Sequence, residues 1–309
     1  MRAVPVFDAA SPQARGITSL SLAVLAICGA ILALIVGLTV YNLIRFRAKP
    51  GAPEPRQIFG HKRLEILWTV IPFLLLVWIF VLTVQAMHVS HPPRHGQPDI
   101  VVIGHQWWWE VHYPKLGIIT ANEVHIPTGQ ALLVRLEAAD VIHDFWVPAL
   151  APKEDMIPGV TNYIWLQADE PGTYLGACAE FCGAEHAWMR FQVIAQPASQ
   201  FRAWEADQRR PAPTPPAGAA ERGRRLFLDK TCMECHSIRG VAAAGSAGPD
   251  LTHLASRRML GAGVMTNTPP NLSLWLTNPQ AIKPGCLMPN LNLTHAQVRD
   301  LVSYFQTLK

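Results

Sequence analysis

Two long stretches without a charged side chain stand near the beginning of the chain. Residues 16–44 contain no Asp, Glu, Lys or Arg, and residues 66–87 form a second such stretch, rich in Leu, Ile, Val, Phe and Trp. Each is long enough for a helix to cross the ~30 Å hydrocarbon core of a bilayer. The pattern predicts a transmembrane hairpin within residues 1–90, with spans at about 17–44 and 65–88.

The segment between the two spans is basic. Short basic loops stay in the cytoplasm, so we expect a multi-pass protein of the bacterial cytoplasmic (inner) membrane. Both termini and everything after about residue 88 then lie on the outer, periplasmic side. Glu65 opens the second span, either as an interfacial carboxylate paired with Lys62 or Arg63 or as a proton-entry group. The basic residues of the loop are Arg45, Arg47, Lys49, Arg56, Lys62 and Arg63.

After residue 98 the pattern changes to short segments, several of them rich in Val, Ile, Trp or Tyr. Pro or Gly lies between many of these segments, which is typical of strands joined by turns. About a hundred residues of short strands predict a Greek-key sandwich over residues 91–205. The predicted strands are 99–104, 130–137, 141–147, 161–167, 172–177 and 190–194.

The last third of the chain changes character again. Residues 209–220 are rich in Pro and Ala, which predicts a semi-rigid, exposed linker, placed at residues 206–218. We predict a further domain over residues 219–309, beginning with a helix at 219–229. Its last helix is marked by a capping box of Thr294 and Gln297. The apolar positions of that helix repeat at helical spacing and are Val298, Leu301, Val302, Phe305 and Leu308.

Composition and charge fit this organisation. Half of the residues are hydrophobic and 16% are charged, as in a membrane part joined to soluble parts. The net charge of +4 hides an asymmetry: residues 90–205 carry six Lys and Arg against thirteen Asp and Glu (−7), and residues 217–309 carry ten against five (+5). Opposite charges speed encounter, so we hypothesise that the basic domain docks on the acidic one. We expect no nucleic-acid partner.

Four of the six cysteines fall in two motifs, and the first motif indicates copper. Cys178 and Cys182 are followed by His186 and Met189, and His143 lies upstream on a predicted strand. Thiolates with imidazole and thioether select copper over Mg²⁺ or Ca²⁺. Two cysteines in one loop can bridge a pair of copper ions capped by the two histidines. The alternatives are a disulfide or a zinc site with two cysteines and two histidines.

The second motif, Cys232-Met-Glu-Cys235-His236, is typical of covalent haem c attachment. The two sulfurs form thioethers, and the adjacent histidine becomes the proximal iron ligand. The candidates for the sixth iron ligand are Met259, Met265 and Met288, with His253 as a rival. Cys28 and Cys286 stand outside both motifs.

Two resemblances extend these inferences. Residues ~15–205 resemble subunit II of haem-copper cytochrome c oxidases, on the two spans, on Val-Ile-His143-Asp-Phe-Trp-Val-Pro and on the run from Cys178 to Met189. Residues 219–309 resemble a class I cytochrome c. Its Met-Pro loop matches Lys-Pro-Gly-Cys-Leu-Met288-Pro, so Met288 is the expected sixth ligand.

The oxidase resemblance implies a set of functional residues. Trp107, within Gly-His-Gln-Trp-Trp-Trp-Glu, is the expected entry point for electrons, and we expect the three tryptophans on one strand. The side chain of Glu180 would reach a Mg²⁺ ion shared with subunit I, and Glu65 would lie at the mouth of a proton channel. A binuclear copper centre, Cu_A, would be held by His143, Cys178, Cys182, His186, Met189 and the carbonyl of Glu180.

The chain is therefore expected to be multidomain: a two-helix membrane hairpin, an all-β cupredoxin-like sandwich and an all-α class I cytochrome c domain. It would be the electron-entry subunit of a proton-pumping caa₃-type oxidase, with catalytic O₂ reduction located in subunit I. Electrons would pass from a cytochrome c or a cytochrome bc₁-type donor to haem c, then to Cu_A, then to subunit I. Subunit III is a further expected partner.

Two other functions stay open at this point. The same copper module could feed a nitric oxide reductase, since only the partner subunit separates that enzyme from an oxidase. A membrane-anchored copper carrier without an enzyme role is the other alternative, although a carrier needs no second redox centre. A quinol oxidase subunit is disfavoured because every expected copper ligand is present.

Overall fold

The structure, a computed structural model, describes residues 4–47, 49–51, 53–54, 56–91, 96–242 and 245–309. The chain divides into two compact units. Residues 15–90 form one unit, and residues 1–14 together with residues 91–309 form the other.

Two long helices account for the apolar stretches. Helix α1 is Pro12–Arg45 and helix α2 is Lys62–Ser90, and the apolar windows of both are unburied. Both helices are longer than the predicted spans because polar residues extend them at each end. Pro72 lies inside α2, in its third turn. Glu65 lies in the first turn of α2, where its carboxylate accepts a hydrogen bond from the backbone N–H of His61 at 3.0 Å. The structure thus gives Glu65 a helix-capping contact.

The β-domain consists of two five-stranded sheets. In one the strand order is β3-β2-β1-β5-β8, and in the other it is β4-β10-β9-β6-β7. The pairs β1 with β5 and β10 with β4 are parallel, and the other pairs are antiparallel. This Greek-key arrangement is the predicted sandwich. The strands are β1 Ile100–His105, β2 Trp108–Tyr113, β3 Ile118–Ala121, β4 Glu123–Pro127, β5 Leu132–Ala138, β6 His143–Trp146, β7 Glu154–Met156, β8 Asn162–Leu166, β9 Gly172–Cys178 and β10 Arg190–Gln196.

Aromatic packing forms the centre of this sandwich. The ring of Trp109 lies 5.9 Å from that of Phe145 and 4.9 Å from that of Phe191. Trp109 is fully buried because β2 alternates inward and outward side chains. Trp107 is not on this strand: it lies in the turn between β1 and β2. The expectation of three tryptophans on one strand was wrong, because the chain turns between the first two.

Helix α3, Ala198–Gln208, follows the sandwich and packs on it. The ring of Trp204 stacks on His125 with 4.3 Å between ring centroids. Residues 206–208 of the predicted linker are the last turn of this helix. Beyond it the chain stays close to the next domain, since the N–H of Ala212 donates to the carbonyl of Arg239 and Pro215 is buried.

The remaining elements are mostly short helices around a second core. Helices α4 and α8 cross at Gly223, where an added Cβ would lie 2.0 Å from the Asp300 carbonyl oxygen. The capping box of Thr294 and Gln297 opens α8 as predicted. The elements are α4 Ala219–Asp229, α5 Cys232–Cys235, β11 Met259–Leu260, β12 Met265–Thr266, α6 Pro269–Thr277, α7 Pro279–Ile282 and α8 His295–Phe305.

Candidate metal centre and the adjoining cavity

Sulfur and imidazole donors form a continuous chain at one end of the sandwich. The Nδ1 atom of His143 lies 3.9 Å from the Sγ atom of Cys178, which lies 3.8 Å from the Sγ atom of Cys182. The Sγ atom of Cys182 in turn lies 3.6 Å from Nδ1 of His186 and 3.8 Å from Sδ of Met189. The carbonyl oxygen of Glu180 lies 3.2 Å from Cys178 Sγ. The six residues expected from the sequence are thus brought together.

Two neighbouring strands and one turn set these positions. His143 opens β6, Cys178 ends β9, and His186–Trp188 form a 3₁₀ turn just before Met189. The backbone N–H of Cys178 donates to the Met189 carbonyl at 3.0 Å, which holds the two ends of the loop together. The loop thereby folds back on itself and presents its donors on one side.

The orientation of His143 depends on contacts outside the donor set. Its Nε2 atom lies 2.8 Å from a carboxylate oxygen of Asp140, whose other oxygen accepts the N–H of Gln106 at 2.6 Å. Such a carboxylate partner fixes the ring and leaves Nδ1 to face a metal. A Cβ at Gly104 would lie 2.8 Å from the His143 ring, so only glycine leaves room there.

The two cysteines are suited to bind metal as thiolates. Both are free cysteines in the part of the chain that the structure describes, so the disulfide alternative is not realised. Hydrogen bonding between the two thiols lowers the pKa of Cys178 to about 4 and raises that of Cys182. The pair therefore gives up its first proton readily, as a thiolate ligand must.

The spacing of the donors distinguishes one metal from two. Among the described residues, only His143, Cys178 and Cys182 have ligand atoms that all lie within 4.8 Å of one another. His186 joins this group through Cys182 alone. A tetrahedral zinc ion with bonds of about 2.0–2.3 Å would need all four donors around one point. An elongated donor chain with two central sulfurs fits a metal pair better.

A cavity of about 420 Å³ lies beside this cluster and contains the second motif. Its walls include Cys232, Cys235, His236 and Met288. The Nδ1 atom of His236 lies 2.8 Å from the Pro249 carbonyl, so Nδ1 carries the proton and Nε2 is left as a ligand atom. The four residues expected to hold haem therefore share one cavity.

The other candidate ligands occupy different environments. Met259 also lines the cavity, but the Sδ atom of Met288 accepts a hydrogen bond from Nε1 of Trp275 at 3.2 Å, which orients its thioether. His253 is not oriented as an iron ligand. Its Nδ1 lies 2.8 Å from the Lys309 carbonyl, and its Nε2 lies 3.1 Å from the Gln208 carbonyl.

One tryptophan belongs to both sites. The Nε1 atom of Trp107 donates to the carbonyl of Cys182 at 3.0 Å, and Trp107 is also one of the residues that line the cavity. Gln106 donates to the same carbonyl at 2.8 Å through Nε2. The expected entry residue therefore lies between the donor cluster and the cavity.

Two further residues expected from the sequence lie at the surface. The Glu180 side chain is exposed, and its neighbour Phe181 is 75% exposed. Glu65, in the other unit, is also exposed.

Sequence reasoning missed two contacts of this region. Lys283 is 2% exposed, and burial lowers its pKa to about 8. Its ammonium group donates to three backbone carbonyls, two of which belong to the β-domain. Trp275 was likewise assigned no role, although it donates to Met288. No sequence signal marks either residue. A lysine beside Pro-Gly, such as Lys283, is usually solvated.

Three family models match successive parts of the chain. Residues 3–85 match the transmembrane domain of cytochrome c oxidase subunit II, and residues 115–196 match its periplasmic domain. Residues 220–309 match cytochrome c. The matches follow the order of domains expected from the sequence.

Individual proteins show the same similarity. The chain is 36% identical to cytochrome c oxidase subunit 2 of Alkalihalophilus pseudofirmus, over 98% of this chain and 90% of the relative. It is 33% identical to cytochrome c oxidase subunit 2 of Bacillus subtilis, over 87% of this chain and 82% of the relative. Quinol oxidase subunit 2 of Bacillus cereus is 33% identical but matches 59% of this chain and 65% of the relative. A crystal structure of the periplasmic domain of subunit II from Bradyrhizobium japonicum is 29% identical, covering 38% of this chain and 96% of that one, with a TM-score of 0.36.

The expected fold class is confirmed: two apolar helices, a cupredoxin-like sandwich and a helical cytochrome c domain. The chain covers more than four-fifths of the length of the Alkalihalophilus pseudofirmus and Bacillus subtilis relatives, at 36% and 33% identity. The chain therefore belongs to the cytochrome c oxidase subunit II family, as a membrane-anchored subunit of a haem-copper oxidoreductase with a cytochrome c domain at its C-terminal end.

Proposed function

We propose that this chain is the electron-entry subunit of a proton-pumping, caa₃-type cytochrome c oxidase. Electrons from a cytochrome c or a cytochrome bc₁-type donor would enter at haem c, pass to Cu_A and leave for subunit I, where O₂ is reduced. One observation carries the proposal: Trp107 lines the cavity of the CxxCH motif and also bonds to the carbonyl of Cys182. A single residue thereby contacts both of the proposed redox sites.

The proposed copper ligands are those of the donor chain. A pair of copper ions would be held by His143, Cys178, Cys182, His186, Met189 and the carbonyl of Glu180, with the two cysteines as thiolates. When bound, a copper pair that shares charge over two thiolates accepts and releases one electron with little ligand movement. The chain supplies the positions: Asp140 orients His143, and the backbone bond from Cys178 to Met189 closes the loop.

The proposed haem site uses the residues that converge on the cavity. Cys232 and Cys235 would form the thioethers, and His236 and Met288 would bind the iron, a ligand pair that suits an electron carrier. Arg257 supports the fit: it is buried, it lines the cavity, and its Nε atom lacks a hydrogen-bond partner within the described chain. Buried donors of this kind are normally paired, and the carboxylates of haem would pair it.

The two redox domains are joined by hydrogen bonds as well as by the linker. The backbone N–H of Arg258 donates to Glu123 at 2.6 Å, and its guanidinium group donates to Thr173 at 2.6 Å. The N–H of Arg190 donates to the Ala262 carbonyl at 3.0 Å. A docked cytochrome domain supports direct transfer within the chain, because orientation is already set when an electron arrives.

The proposed setting follows from the basic loop and the exposed site residues. The loop between α1 and α2 would lie in the cytoplasm, with both termini and the redox domains on the periplasmic side. Glu180 and the exposed Phe181 would face subunit I, where Glu180 would reach a shared Mg²⁺ ion. Subunit III would complete the complex, and Glu65 would stand at a proton entrance.

We propose four parts of the chain for these roles: the membrane hairpin at 1–90, the copper domain at 91–205, the linker at 206–218 and the cytochrome domain at 219–309.

The direct test is a flash-reduction experiment on the purified oxidase complex. Light-driven reduction of haem c should be followed by its reoxidation, with reduction of the copper centre at the same rate. Turnover with O₂ but not with nitric oxide would separate the oxidase from a nitric oxide reductase. Haem reoxidation without copper reduction would contradict the proposal. Free exchange of the copper with a chelator would also contradict it and would favour a copper carrier.

A further inference from the structure

We propose that Lys283 is a positioning residue for electron transfer between the two sites. It would hold the haem-ligand loop of the cytochrome domain (residues 283–289) against the copper loop (residues 178–189). This inference rests on the proposed function, since it concerns how the two redox sites are aligned. Lys283 lies five residues before Met288, in a segment to which the sequence assigned only a ligand.

The ammonium group of Lys283 binds three carbonyl oxygens. It donates to the carbonyl of Trp107 at 3.0 Å, to that of Trp188 at 3.2 Å and to that of Gly261 at 3.2 Å. An ammonium group has three N–H donors, so this set matches its full capacity. The side chain is 2% exposed, so these carbonyls stand where water would otherwise bind.

Each of the three carbonyls belongs to a different part of the electron path. Trp188 belongs to the 3₁₀ turn that begins with His186 and precedes Met189. Trp107 carries the indole that bonds to Cys182. Gly261 belongs to the loop of the cytochrome domain that also supplies Ala262 to the interface. From the haem-ligand loop, one side chain thereby reaches the backbone of the copper loop, the backbone of Trp107 and a second loop of the cytochrome domain.

A buried cation bound to uncharged carbonyls adds little to the net free energy of unfolding. Removing an ammonium group from water costs free energy that the carbonyl contacts and the nearby carboxylate of Glu185 offset only when the geometry is good. An apolar side chain would fill the same space without that cost. The arrangement is therefore better explained by the alignment it imposes than by stability.

Neighbouring contacts would keep the domains together without Lys283. Arg258 bonds to Glu123 and Thr173, and a Cβ at Gly263 would lie 2.9 Å from the Arg190 Cβ, which shows how closely the surfaces approach. Lys283 is bonded to the backbone beside the copper ligands, whereas Arg258 is bonded to residues of β4 and β9. Loss of the Lys283 ammonium group should therefore loosen the alignment of the two sites, while the contacts of Arg258 keep the domains docked.

The test replaces Lys283 by methionine in the full chain within the assembled oxidase. Two quantities are measured: the rate of haem-to-copper electron transfer after flash reduction, and the dipolar coupling between ferric haem and the copper centre by pulsed EPR. We expect the Lys283→Met rate to fall at least about tenfold, as small misplacements can cost that much, and the coupling to spread over a wider range of distances. The haem absorption bands and the copper EPR spectrum should stay unchanged.

The matched control is Lys309→Met, which removes one exposed lysine charge from the same domain. It should leave both quantities unchanged. If Lys283→Met does not assemble, Lys283→Gln keeps part of the hydrogen bonding and should still slow transfer and broaden the coupling.

The outcomes separate this inference from the proposed function. An unchanged rate and coupling in the Lys283 variant, with transfer intact in the wild type, would overturn the inference alone. Absence of haem-to-copper transfer in the wild type would refute the proposed function. The coupling distribution would still show whether Lys283 aligns the two sites.

Discussion

The indole N–H of Trp107 donates to the carbonyl oxygen of Cys182 at 3.0 Å, across 75 positions of sequence. Trp107 lies in the turn between β1 and β2, and Cys182 lies in the loop between β9 and β10. The contact places an aromatic ring directly beside a proposed copper ligand. Since Trp107 also lines the cavity of the CxxCH motif, this one residue contacts both sites.

Replacing Trp107 by phenylalanine should slow haem-to-copper transfer by about tenfold, because the N–H bond to Cys182 is lost and the smaller ring is no longer held in place. Flash reduction of the assembled oxidase measures the rate. Trp204→Phe is the matched control, since Trp204 stacks on His125. Equal rates in both variants would show that Trp107 is not on the path.

Replacing Cys182 by serine should abolish the paired-copper EPR signal and leave at most one copper ion per chain. Cys182 is the donor that His186 and Met189 share, so its loss divides the donor chain. Copper content and the EPR hyperfine pattern measure the effect. The corresponding change at Cys286, which contacts Gln280, should alter neither quantity. Retention of two equivalent coppers in Cys182→Ser would exclude the bridging role.

Replacing Trp275 by phenylalanine should lower the reduction potential of haem c. The N–H bond to Met288 Sδ withdraws electron density from the thioether, which favours the ferrous state. A hydrogen bond of about 1 kcal/mol corresponds to about 40 mV for one electron. A spectroscopic redox titration measures the shift, with Trp204→Phe again as the unshifted control. A higher potential would contradict the argument.

Glu110 should contribute stability that is lost in acid. Burial alone would raise the pKa of Glu110, but hydrogen bonds from His105 and His112 lower it to about 2. Since this pKa lies below the ordinary value of 4.5, the contribution is complete above pH 4.5 and disappears as the pH falls toward 2. A pKa difference of one unit corresponds to about 1.4 kcal/mol, so a few kcal/mol of the unfolding free energy depend on this carboxylate.

The measurement for Glu110 is denaturant unfolding of wild type and Glu110→Gln as a function of pH. The difference in unfolding free energy between the two should shrink as the pH falls from 4.5 to 2. Glu137→Gln is the control because that carboxylate pairs with Arg135 at a more exposed position. A difference that is constant with pH would rule out the ionised carboxylate as its source.

Haem-to-copper transfer should depend only weakly on salt. The sequence favoured docking of a basic domain on an acidic one, but the contacts described at the interface join charged donors mainly to carbonyl and hydroxyl oxygens, as Lys283 and Arg258 do. Buried contacts are screened little. Raising the salt from about 0.01 M to about 0.3 M should change the rate less than about twofold. A steep fall would restore the charge-based hypothesis.

Much of the fold followed from local pattern. Helix α4 has the predicted bounds, Ala219–Asp229, and the capping box of Thr294 opens α8, because both depend on residues close in sequence. The six predicted strands each correspond to an observed one. Strands β3, β4 and β7 were not predicted, and β2 was expected only as a strand that carries all three tryptophans. Strand β7 has three residues, too few for an alternating pattern to show. The turn at Trp107 lies inside an aromatic run that locally resembles a strand.

The sequence by itself determined which chemistry this protein contains. The donors Cys178, Cys182, His186 and Met189 lie within one loop, and Cys232, Cys235 and His236 within another, so ligand type and spacing are local properties of the chain. Only the tertiary structure decided how the two sites face each other. The contact from Lys283 to Trp107 joins residues 176 positions apart, and such a pairing depends on how two separately folded domains pack, which no local pattern encodes.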